Sequence, residues 1–133
     1  MQIIISTVAA ILTILIIDSV WLKVMFTHLY NPQIGHLLAE TPKLLPAGFF
    51  YIIYSVALSI LVILPALSQN YSLSKVFLLG GLFGMVCYAT YDLTNHATLR
   101  GWPVIVTIID IVWGALLTGT VALVAFSITK YFS

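Results

Sequence analysis

VFLLGGLFGMVCYATYDLTNHATLRGWPVIVTIIDIVWGALLTGTVALVAFSIT, residues 76–129, reads as two long apolar arms folded back at a polar corner. The runs Val76–Tyr91 and Ile111–Thr129 carry no charge, and Arg100-Gly101-Trp102-Pro103 between them has hairpin chemistry. Glycine ends one helix, tryptophan anchors, and proline starts the next. A helix rising 1.5 Å per residue needs about 20 mostly apolar residues to cross a hydrocarbon layer of ~30 Å. Each arm is long enough to do so.

The same pattern continues toward the amino terminus. Ile3–Ile17 and Leu44–Ser74 are also free of charge. Four spanning helices fit, at about 3–26, 47–67, 75–98 and 103–129. Hydrophobic residues make up 62% of the 133 positions and charged ones 7%, against the roughly 25% charged residues of a soluble domain. The expected fold is an all-α integral membrane protein, one antiparallel four-helix bundle with short connections. The first segment has no basic residue ahead of its apolar run and no A-x-A-like site, so it is expected to stay as a helix.

The longest connection, Thr27 to Pro46, contains Asn31-Pro32, an N-cap followed by proline at the first helical position. Ile34, Leu37 and Leu38 follow at helical spacing, opposite Gln33 and His36. This predicts a short interfacial helix between the first two spans, an ordered loop being the alternative. Phe49, Phe50, Tyr51 and Tyr54 read as an aromatic belt, Pro65 as the end or a kink of the second helix, and Ser72 or Ser74 as a cap. Lys23, Lys43 and Arg100 fall on one side, Lys75 and Lys130 on the other. That leans toward a cytoplasmic long loop.

Three of the four acidic residues, Asp18, Asp92 and Asp110, lie inside predicted spans. Counted at 1.5 Å per residue, all three sit roughly 10–12 Å from helix ends that alternation brings to one membrane side. On the third helix Gly81, Gly84, Tyr88, Asp92 and Asn95 share a face, and Gly80-x-x-x-Gly84 permits close helix approach. Thr107, Asp110, Gly114 and Thr118 align on the fourth. Asp18-Ser-Val-Trp21 and Asp110-Ile-Val-Trp113 repeat one device on two antiparallel helices. The candidate ligand-binding residues are Asp18, Asp92, Asp110, Asn95, Tyr88, Trp21, Trp113, His96 and Arg100. Intramembrane acids are functional candidates by default; the competing reading is a set of hydrogen bonds that only holds the bundle together.

Several classes are excluded or disfavoured. The single cysteine, Cys87, rules out an intrachain disulfide and a C-x-x-C redox pair. A net charge of +1 without a basic run gives no case for nucleic acid. Of the histidines only His96 falls on a span, so haem, which needs facing histidines, is not expected. Asp92, His96 and Asp110 have no recognised metal spacing, and no metal or cofactor is expected.

The block Tyr91-Asp92-Leu-Thr-Asn95-His-Ala-Thr98-Leu-Arg100-Gly101-Trp102-Pro103, with Asp110-Ile-Val-Trp113-Gly114 and Asp18-Ser-Val-Trp21, resembles an uncharacterised family of small bacterial predicted membrane proteins, a domain of unknown function. The resemblance spans nearly the whole chain. It implies a four-helix protein of the bacterial cytoplasmic (inner) membrane and brings no activity, cofactor or catalytic residue with it. Three functions stay open. A small cationic or amphipathic molecule is bound or transported at the acidic site; a membrane lipid or isoprenoid is modified by acid–base chemistry; or the chain is a structural or assembly subunit. Whether it is an enzyme is undecided. The expected partners are membrane lipids, a small-molecule ligand and further copies of the chain as a homo-oligomer, with no nucleic acid.

Overall fold

A computed structural model describes all residues, 1–133. Four helices are long and apolar enough to cross a membrane: α1 Gln2–Leu37, α2 Leu44–Ser68, α3 Leu73–Thr98 and α4 Val104–Tyr131. There are no strands. The amino and carboxyl ends meet, Gln2 Nε2–H donating to Ser133 Oγ at 3.0 Å. The four helices thus run up and down, with the α1–α2 and α3–α4 links on one side and both termini and the α2–α3 turn on the other.

The short helix expected after the first span is present, but no loop precedes it. Helix α1 passes through a wide π-helical turn at Phe26–Tyr30 into Asn31–Ile34 and a final 3-10 turn, Gly35–Leu37. A second wide turn, Ser59–Ile63, interrupts α2. Both stand two residues before a proline, Pro32 and Pro65. Proline brings no N–H and its ring crowds the carbonyl four residues back, so the preceding turn opens. Helix α2 therefore continues past Pro65 to Ser68. The α2–α3 turn is capped as anticipated: Lys75 N–H donates to Ser72 Oγ at 3.2 Å. Gly101 adopts φ 75°, the left-handed conformation that lets the α3–α4 hairpin close.

Helices α3 and α4 pack most closely, because glycines let their backbones approach. A Cβ on Gly80 would stand 2.6 Å from Ala122 Cβ; one on Gly84 would collide with the Gly114 carbonyl and the Thr118 side chain. Around this seam the core runs through Ala10, Ile14, Leu58, Ile63, Val76, Leu117, Val121 and Ala125. A smaller core, Leu29, Ile34, Trp102 and Val106, ties the bent end of α1 to the α3–α4 hairpin. Trp102, read from sequence as an anchor, is instead 7% exposed and donates its Nε1–H to Thr107 Oγ1 at 3.0 Å.

Candidate functional site: three carboxyls and two crossed Asp-x-x-Trp motifs

Asp18, Asp92 and Asp110 are all buried, at 6%, 0% and 5% exposure. Each is held differently. Asp18 accepts two hydrogen bonds: Tyr51 O–H donates to Oδ2 at 2.6 Å from α2, and Trp113 Nε1–H donates to Oδ1 at 3.3 Å from α4. Asp110 accepts one at 2.5 Å, from Tyr30 O–H at the end of the wide turn of α1. The Tyr30 oxygen in turn accepts Trp21 Nε1–H at 3.1 Å. On a straight helix positions 21 and 30 would lie about 13 Å apart along the axis on opposite faces. Their hydrogen bond reflects the bend at Phe26–Tyr30.

The two Asp-x-x-Trp motifs are therefore crossed. Trp113, one turn after Asp110, serves Asp18; Trp21, one turn after Asp18, serves Asp110 through Tyr30. The indoles stack with centroids 4.0 Å apart and planes 6° from parallel. The stack fixes α1 against α4; the Trp113 N–H meets the opposite motif directly, and the Trp21 N–H meets it through Tyr30 on its own helix.

Asp92 stands apart. Neither of its carboxyl oxygens meets a tyrosine, tryptophan or other donor, although the side chain is completely buried, and the Asp110 carboxyl lies within reach of it. Its close electrostatic neighbour is Asp110, and Tyr30 and Tyr91 also sense its charge. No basic side chain compensates: Lys23, Lys43, Lys75, Arg100 and Lys130 are all exposed. Buried polar groups are nearly always paired, and an unpaired carboxyl is a costly exception that calls for an account.

The remaining candidates divide. Tyr88 packs its ring on Gly114, where any Cβ would collide with it, and its electrostatic neighbours include Asp18, Tyr54 and Tyr51. Asn95 is half-buried one turn beyond Tyr91. His96 meets α4 one turn before Asp110, its Nδ1 lying 3.3 Å from Thr107 Oγ1. Arg100 is exposed on the hairpin. No three His, Cys, Asp or Glu side chains converge as a metal-binding group.

Two tyrosines central to the site, Tyr30 and Tyr51, were not among the candidates read from sequence, where Tyr51 stood only in the aromatic belt. Tyr51 had a signal. It begins a hydroxyl stripe, Tyr51, Ser55 and Ser59, at helical spacing on α2. Tyr30 had none, since it enters only through the bend. Beside Tyr51 a cleft of about 380 Å³ opens toward the lipid between α2 and α3, lined by Phe50, Cys87, Tyr88 and Tyr91. The helices touch below it, where Tyr54 and Phe83 meet edge to face at 5.3 Å.

A family described as "Predicted membrane protein (DUF2177)" matches residues 3–127. No curated protein and no solved structure matches.

Proposed function

The chain belongs to this family of predicted membrane proteins, and from that premise we propose that it binds a small amphipathic cation at the acidic centre. The observation that carries the reading is Asp92: a completely buried carboxyl without a partner, beside a second carboxyl, in a core that contains no base. In a medium of low dielectric such a group is stable only against a positive charge or a proton. Asp18 and Asp110 already have tyrosine and tryptophan donors, which leaves Asp92 as the counter-charge on offer.

The cleft supports the amphipathic part. Its lining of Phe50, Cys87, Tyr88 and Tyr91 offers aromatic faces and one thiol. Phe50 and Tyr91 are 44% and 56% exposed within spanning helices. A ligand partitioned into the bilayer reaches this lining directly, whereas a hydrated inorganic ion does not. Aromatic rings also attract a cation across their faces. Tyr88 and Tyr91 line the cleft from α3, the helix that carries Asp92, and are the side chains whose movement would connect the two. The resemblance of the motif block to small bacterial membrane proteins favours a setting in the bacterial cytoplasmic membrane.

The test is titration of the detergent-purified protein with tetraphenylphosphonium, followed by calorimetry. Saturable binding is expected, weakened about tenfold or more in Asp92→Asn, the equivalent of about 1.4 kcal/mol. Absence of saturable heat with the parent protein, or equal affinity in Asp92→Asn, would overturn the reading.

A further inference from the structure

A second polar feature lies deeper in the bundle, on the far side of the acidic centre from the α3–α4 hairpin. It is made of hydroxyls. Tyr54 O–H pairs with Thr118 Oγ1 across α2 and α4. Thr7 Oγ1–H donates to Ser59 Oγ at 3.2 Å across α1 and α2. Ser55 lies between these two pairs along α2, 1% exposed, its Oγ without a partner. Ser59 and Thr118 are completely buried. Nothing in the binding reading uses any of them.

Their placement along the axis is orderly. Tyr51 contacts Asp18 at the acidic level, and Ser55 and Ser59 follow at one-turn steps on the same face of α2. Asp18 and Thr7 are separated by about 16 Å along α1 at 1.5 Å per residue. Thr7 is half-buried and only a turn and a half from the start of α1. The carboxyls lie roughly 9 Å from the hairpin ends of α3 and α4 by the same rise. Acidic centre and hydroxyl column together cover most of a ~30 Å hydrocarbon layer.

We propose that the column is a proton relay joining the acidic centre to the membrane face that carries the termini, with Ser55 holding a bridging water. Same-face positions one turn apart on a helix are about 6 Å apart, close to two hydrogen bonds of about 2.8 Å in series. One water on Ser55 thus reaches toward Ser59, one turn further along α2. The unpartnered Ser55 hydroxyl supplies the site, since buried water is found where buried polar groups lack protein partners. In each hop a hydroxyl or water accepts one proton and passes its own to the next oxygen, so no group changes its net proton content. The carboxyl of Asp18, which Tyr51 O–H contacts, terminates the chain. The wide turn at Ser59–Ile63 contributes by displacing the α2 backbone just where Ser59 meets Thr7.

The relay is independent of whether an organic cation binds, and the experiment separates the two. Protein is reconstituted into vesicles containing a trapped pH-sensitive dye, and a potassium diffusion potential set with valinomycin drives protons inward. Acidification faster than in protein-free vesicles is expected. Ser55→Ala and Ser59→Ala are each expected to slow it about tenfold, a rise of about 1.4 kcal/mol in the barrier. Asp18→Asn, which removes the carboxyl at the end of the column, is expected to stop it. Ser55→Ala removes a hydroxyl that holds no protein partner, so its thermal unfolding should match the parent and separate lost conduction from lost folding. Parent vesicles as tight as empty ones, or folded serine variants that conduct like the parent, would overturn the relay. Tetraphenylphosphonium binding measured on the same preparations would stand or fall separately.

Discussion

Replacing Asp18 by asparagine leaves one oxygen where two donors, Tyr51 O–H and Trp113 N–H, now converge, and turns an amide NH₂ toward one of them. Asp18→Asn is therefore expected to lower stability by about 1–3 kcal/mol, the cost of a buried donor left unpaired. Thermal unfolding in detergent checks it. Asp92→Asn removes no hydrogen bond and withdraws an unpaired carboxyl from the core, so it is expected to unfold no earlier than the parent while losing the organic cation. The two aspartates look alike in the sequence. Composition marked all three acids as exceptional because a carboxylate in an apolar run stands out by itself. Their partners were harder to see, because a tyrosine near a membrane face has the same local surroundings whether it anchors or donates. Position 51 carried a hydroxyl stripe as a clue; position 30 depended on a bend that no local pattern encodes.

Helices α3 and α4 meet where side chains are missing, and that seam sets the distance between Asp92 and Asp110. Gly84→Ala would drive a methyl group into the Gly114 carbonyl and Thr118. It is expected to cost about 1–3 kcal/mol, as overpacking does, and to weaken cation binding by moving the carboxyls apart. Gly48→Ala is the matched control. It lies in α2 with nothing within 4 Å of the added carbon, and alanine is expected to add up to about 1 kcal/mol of helix stability there. Unfolding curves of both variants would show opposite shifts. The glycine spacing Gly80-x-x-x-Gly84 made this seam legible beforehand. The continuation of α1 through residue 37 was not, because Asn31-Pro32 imitates the start of a new helix. In the structure the proline widens the turn ahead of it and the chain stays helical.

With four spans and paired termini, the bundle presents Arg100 and Ser133 to opposite sides of the membrane. In vesicles of uniform orientation, Arg100→Cys and Ser133→Cys are expected to react with an impermeant maleimide from opposite compartments, in a Cys87→Ser background. Equal labelling of both from one side would contradict the topology. The length of the uncharged apolar runs and the short links between them were sufficient for this arrangement, whereas the cleft between α2 and α3 depends on how far two helices diverge, which composition leaves open. The crossed Asp-x-x-Trp motifs have a bearing on how such a chain varies over time. Each tryptophan supports the other motif's acid, so a change in either motif strands a donor or an acceptor on the opposite helix. Among descendants of a common ancestor the two motifs should be inherited or discarded together. A lineage that abandons one is expected to show compensating substitutions at positions 30 and 51, far away in the sequence and adjacent in the fold.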